Sequence, residues 1–171
     1  EGNCKLVDEV TTALNENGFS ARPNRTVMRF KYGKLIMNLG NALAAVAPPG
    51  DGTKEIRSQL RTEAETCFAI AGIDCASPEE GKVRRGNLMK QSSVAGQDRV
   101  AGSSWQSLAR GTGNIETDFL NGEIVLLGRL HGIPTPANLA LQRLANHLAS
   151  GGGPPQSIPL AEVQRQIEDA H

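Results

Sequence analysis

The chain has 171 residues, and its 18 basic side chains balance 18 acidic ones with no long run of either sign, so it carries no electrostatic footprint for nucleic acid or an anionic membrane. Apolar residues make up 39% and aromatics only 4%, so the core must be built from Leu, Ile, Val and Ala, which favours helices over a β-sandwich. No apolar run approaches the roughly 18 residues of a membrane span and the start has no basic n-region, so a soluble, cytoplasmic protein is expected.

Cys4, Cys67 and Cys75 are odd in number and lack CxxC spacing, which predicts reduced thiols used as small core residues. His131, His147 and His171 have no acidic or cysteine partners at ligand spacing, so no metal is predicted.

Leu6, Val10, Ala13 and Leu14 repeat at helical spacing over residues 5–17, and Gly18 stands where a left-handed cap would end the helix. Residues 19–22 read as a short strand. A helix running straight into a strand, with no sheet elsewhere to receive it, looks like the last αβ unit of a parallel sheet that is otherwise missing.

After the break at Pro23-Asn24-Arg25, Asn24 or Thr26 can cap a helix running to Pro48-Pro49. Residues 31–46 within it are apolar on nearly every side, which predicts burial. Lys34, Asn38 and Asn41 nevertheless stand at i, i+4 and i+7, a polar stripe within about 60° of arc. Either other residues pair with Lys34, or the stripe lines a cleft, or Lys34 reaches solvent along its stem.

Thr53 opens a long amphipathic helix with Ile56, Leu60, Ala64, Cys67, Phe68 and Ala71 on one face, closed by Gly72. Its charged residues are expected to form a solvated outer face. Ser77-Pro78-Glu79-Glu80 is a capping box with proline at the first position, predicting a helix to about Met89. Residues 91–102 read as a polar loop or short helix leading into residues 103–108, which hold the only tryptophan, Trp105.

Asn114 is expected to cap a helix over residues 115–131 with Phe119, Leu120, Ile124, Leu127 and Leu130 inward and Gly132 as the stop. Gly122 and Gly128 inside it predict close approach by another helix. Thr135 then caps a helix with Pro136 first and Leu139, Leu144 and Leu148 facing the core. Beyond the linker at residues 151–155, Ile158, Val163 and Ile167 predict a short amphipathic helix from Pro159 that docks on this domain or on a second copy.

Three blocks then combine: Tyr32-Gly33-Lys34-Leu-Ile-Met-Asn38; Ser103-Ser104-Trp105 followed twelve residues after Ser104 by Glu116-Thr-Asp118-Phe-Leu-Asn-Gly122; and His131-Gly-Ile-Pro-Thr-Pro136. Their order and spacing resemble the C-terminal domain of ketopantoate reductases. The resemblance implies an all-α bundle like the C-terminal domain of 6-phosphogluconate dehydrogenase, with a remnant αβ unit of a missing Rossmann domain at its start. It divides the chain into residues 1–24 (end of that Rossmann domain), 25–150 (helical domain) and 151–171 (linker and final helix).

The resemblance also implies the roles of residues. Lys34 takes the general-acid position and Glu116 that of an acid between lysine, substrate and the cofactor end of the cleft, so it also counts as cofactor-binding. Asn38, Asn41 and Ser104 are the expected substrate contacts. Asn41 stands one place before the family's second asparagine, where this chain has Ala42, and Asp51 or Gly52 replaces an asparagine in the following loop.

The activity implied is reduction of a 2-keto acid, 2-dehydropantoate to pantoate, by NADP held mainly on the N-terminal Rossmann domain. That domain, the keto acid and a second copy of the chain are the expected partners. Gly-x-Gly-x-x-Gly does not occur in the sequence, and Gly111-Thr-Gly113 follows no strand. The competing expectation is a non-catalytic dimerisation or interaction module using the Gly122 and Gly128 face and the tail.

Overall fold

A computed structural model describes residues 4–86 and 102–170. Among them the regular elements are all helical: α1 (Lys5–Glu16), α2 (Val27–Asn38), α3 (Gly40–Val46), α4 (Thr53–Ile70), α5 (Pro78–Arg85), α6 (Ser103–Ala109), a 3-10 turn (Glu116–Phe119), α7 (Asn121–His131), α8 (Pro136–His147), a π turn (Leu148–Gly152) and α9 (Leu160–Glu168). They fall into two compact units, one within Glu1–Lys34 and Cys75–Ser93, the other within Leu35–Asp74 and Val94–His171. The predicted extension of α5 to Met89 and the segment 91–101 lie outside the described residues.

In the first unit α1 ends as expected, with Gly18 at φ +84°. Residues 19–22, expected as a strand, form none. The Asn15 side chain takes both polar groups of Ala21, donating to its carbonyl at 3.0 Å and accepting its N–H at 2.9 Å. A strand without a partner leaves its backbone unpaired, and here a side chain supplies the bonds instead.

The capping box before α5 forms in full: Glu80 N–H donates to Ser77 Oγ at 3.1 Å, and the Glu80 carboxylate accepts the Ser77 N–H at 2.8 Å. That carboxylate also takes a forked pair of bonds from Arg29 on α2, at 2.9 and 3.3 Å. The Ser77 N–H, first, and then Arg29 hold the Glu80 carboxyl below its ordinary range. Arg84 stacks 4.2 Å from the Phe30 ring centre, and the Ala76 N–H bonds the Arg29 carbonyl at 3.0 Å. A side chain on Gly33 would meet the Ala76 carbonyl at 2.8 Å, so glycine before Lys34 is what lets α2 and the Ala76 backbone touch.

In the second unit α3 packs on α6 and α8, α4 on α7 and α8, and α9 on α8. Leu39, Leu43, Val46, Leu60, Ile124, Leu141 and Val163 form the fully buried centre.

Several expectations shift here. The single helix expected through residues 31–46 divides into α2 and α3 at Leu39, whose backbone stays helical (φ −55°, ψ −35°), and only α3 is buried, since α2 has no buried residue and Met37 is exposed. The Leu39 N–H reaches only to Ile36, and the Arg57 guanidinium lies where a Gly40 side chain would be. The helix expected over residues 115–131 is broken at Leu120 (φ −116°, ψ −86°), so the Glu116–Phe119 turn and α7 do not share one phase. Phe119 and Leu130, expected inward, are 80% and 69% exposed. Asn114 makes no cap there.

Gly132 does close α7 in the left-handed region, at φ +67°. Gly122 lies under Gln142 of α8, as a close helix approach requires. Gly128 instead admits the Ile133 carbonyl and Thr135, the chain's own return. The core face of α8 is Ala137, Asn138, Ala140, Leu141 and Ala145, with Leu139 and Leu144 half-buried beside it.

The tail docks on its own unit: Val163 and Ile167 are buried, and the Gln156 and Ile158 N–H groups bond the Ala45 and Val46 carbonyls at 2.8 and 3.2 Å.

Candidate functional site

A cleft of about 330 Å³ in the second unit is lined by Ser103, Ser104, Ser107, Thr112, Asn114, Ile115 and Glu116. One wall is α6, and the other is the loop from Arg110 into the Glu116 turn. Thr112 clasps the two: its N–H and its hydroxyl both donate to the Ser107 carbonyl at 3.2 Å, and the hydroxyl also lies 3.2 Å from the Asn114 carbonyl. Ile115 is buried in the cleft wall, leaving Glu116 exposed beside it. Ser104 is the buried residue of α6.

The Glu116 turn is anchored from behind. Asp118 Oδ1 accepts bonds from Gln142 Nε2 and Asn146 Nδ2 of α8, both at 2.8 Å. Gln142 first, then Asn146, holds the Asp118 carboxyl below its ordinary range.

Ser104 and Glu116 therefore share one cavity. Asn38 ends α2 and Asn41 lies in α3; both are half-buried, and Leu39 between them keeps a helical backbone at φ −55° and ψ −35°. Lys34 is the last residue of the first unit and its side chain is exposed, so it is not the buried ammonium that the apolar helix suggested.

Sequence reasoning missed a buried polar cluster in the second unit. Glu63, expected on the solvated face of α4, is only 8% exposed. It receives the N–H groups of Ala137 at 2.9 Å and Asn138 at 3.0 Å, and the Asn138 side-chain amide at 2.7 Å. An acid from α4 thus caps α8, where the expected Thr135 side-chain bond is absent. Asn138 also donates to the Leu60 carbonyl at 3.2 Å, and Asn121 donates to Asn138 Oδ1 at 3.0 Å and to the Leu39 carbonyl at 3.3 Å. One signal was available: Glu63 falls at i+7 from Ile56, on the apolar face of α4. Cys67 on that face is a buried thiol, pushed up first by burial and then by the Glu63 charge.

The cleft is lined by hydroxyls, an amide and one carboxylate, groups that can hydrogen-bond a small polar molecule. Among the described residues that lining holds no cation to meet the phosphates of a dinucleotide. Among the described residues there is no cluster of His, Cys, Asp and Glu able to hold a metal, and no helix long and apolar enough to cross a membrane.

Residues 5–149 match the family described as "Ketopantoate reductase PanE/ApbA C terminal". A solved structure, the PanE/ApbA family ketopantoate reductase from Ralstonia eutropha JMP134, is similar at 27% identity and a TM-score of 0.68. The similarity covers 84% of this chain and 48% of that one, so the chain spans about half the length of that relative. No curated protein matches the sequence.

Proposed function

Since the chain belongs to the ketopantoate reductase C-terminal family, we propose that it is the substrate-binding and catalytic half of an NADPH-dependent 2-keto acid reductase, with 2-dehydropantoate as the favoured substrate. The supporting observation is that Ser104 and Glu116, on separate elements, line one cleft of a size suited to a small acid.

NADPH, held by a nucleotide-binding domain outside this sequence, supplies the hydride that converts the keto group to a hydroxyl. The work of this chain is to hold the keto acid and to manage the charge and proton at its oxygen. Ser104 hydrogen-bonds the substrate carboxylate, and Asn38 and Asn41 orient the keto acid from the α2–α3 side. Negative charge builds on the keto oxygen during reduction, and the Lys34 ammonium stabilises it and then gives up its proton. Glu116 is the acid assigned to keep Lys34 charged. The Lys34 side chain is exposed on α2.

A non-catalytic module is less well supported. The Gly122 and Gly128 faces and the tail are filled by the chain's own residues.

The test is turnover of a panel of 2-keto acids by the chain joined to its nucleotide-binding domain. NADPH oxidation with 2-dehydropantoate is the expected result. No oxidation with any member of the panel would refute the reading.

A further inference from the structure

We infer that the buried relay Glu63–Asn138–Asn121 is a positioning device: it pins the Leu39 carbonyl where α2 meets α3, and so sets how Asn38 and Asn41 face the substrate. The inference rests on the substrate roles proposed above for those two asparagines.

The relay runs through one unit. Glu63 is fixed by the first-turn N–H groups of α8, Asn138 is fixed by Glu63 and the Leu60 carbonyl, and Asn121 is fixed by Asn138. Its last bond goes to Leu39, 82 residues away in sequence. Leu39 keeps a helical backbone, its N–H turns to Ile36, Gly40 follows it with Arg57 packed close, and its carbonyl is the atom that Asn121 holds.

Two features argue for positioning over mere stabilisation. Asn121 and Asn138 are each 0% exposed, and apolar residues of similar volume would fill the same space without placing amides there. Asn121 Oδ1 is also buried with no hydrogen-bond partner among the described residues, an arrangement that costs stability. The side chain is thus held for what its amide donates, to Leu39 and to Asn138. Leu39 lies one residue after Asn38 and two before Asn41, so a backbone shift there moves both. A misplacement of about 1 Å in a reacting geometry is enough for a change of order 10²-fold.

The test is Asn121→Asp, which keeps the shape but turns donors into acceptors facing two carbonyl oxygens. In the complete reductase the keto acid KM should rise by about 10-fold or more, while the NADPH KM stays unchanged and kcat changes less than KM. The defect should shrink as pH falls and the introduced carboxyl regains a proton to donate. In the 171-residue chain, amide exchange at Asn41–Leu43 should accelerate. Should that variant fail to fold, Asn121→Leu carries the same KM and exchange expectations without the pH recovery.

A fall in kcat with KM unchanged would mean only less folded enzyme, and it would overturn the inference; so would unchanged kinetics. A wild-type enzyme that reduces no 2-keto acid would instead remove the functional reading and the substrate-positioning role with it. Exchange would then decide the pin alone, with unchanged exchange overturning it.

Discussion

The Glu63 carboxylate accepts both the backbone N–H of Asn138 at 3.0 Å and its side-chain amide at 2.7 Å, which joins the middle of α4 to the first turn of α8. A buried carboxylate at a helix N-terminus combines charge-assisted hydrogen bonds with a favourable dipole. Glu63→Ala would strand three donors and should destabilise the chain by about 3 kcal/mol, with Glu63→Gln losing less because one acceptor oxygen remains. Urea unfolding with an unchanged slope measures both. Equal stability of Glu63→Ala and wild type would show that the bonds contribute nothing net.

Asp118 gives a pH dependence whose sign follows from its depressed carboxyl. A group with a lowered folded pKa stabilises the native state above its ordinary pKa, here 3.8, and that contribution is lost as pH falls through the folded value. Acid unfolding of wild type should therefore steepen below about pH 4, and Asp118→Asn should flatten that slope while leaving the slope near neutrality unchanged. Parallel acid profiles for the two proteins would contradict this.

Gly33→Ala probes the residue before Lys34. The added carbon meets the Ala76 carbonyl at 2.8 Å, and a backbone carbonyl cannot swing aside as a flexible side chain does. The expected cost is about 1–3 kcal/mol, read as a lower melting temperature. A stabilised variant, as a helical glycine-to-alanine change gives in open space, would mean that α2 and Ala76 are not in contact.

These cases separate what the sequence displays from what it hides. Ser77 and Glu80 lie three residues apart and bond each other, and Gly132 and Pro136 mark helix ends through their own backbone preferences, so local rules found them. Glu63 and Asn138 are 75 residues apart, and only the packing of α4 on α8 makes an acid on an apolar face intelligible. Leu39 lies in a run with no proline and beside Gly40, and its departure from the regular helical ladder coincides with a bond from Asn121 on α7. Phe119 and Leu130 missed the core because the turn at Leu120 changes the phase between the Glu116 turn and α7. In the candidate site, Ser104 and Glu116 were marked by the resemblance, whereas the Thr112 clasp beside them has no signature at all.

The docked tail makes a further prediction. Ile167 is 5% exposed in the seam of α9, so Ile167→Ala should cost about 3 kcal/mol. Removing residues 156–171 should lower the melting temperature further, because it also strips partners from the Ala45 and Val46 carbonyls. A truncated chain that melts at the wild-type temperature would show that α9 does not dock.

The most direct test of the whole account is Lys34→Ala in the complete reductase, with steady-state turnover of 2-dehydropantoate and NADPH binding measured side by side. General-acid assistance is typically worth about 10²- to 10⁴-fold, so turnover should fall by that order while NADPH affinity stays close to wild type. Near-normal turnover by the Lys34→Ala enzyme would contradict the account.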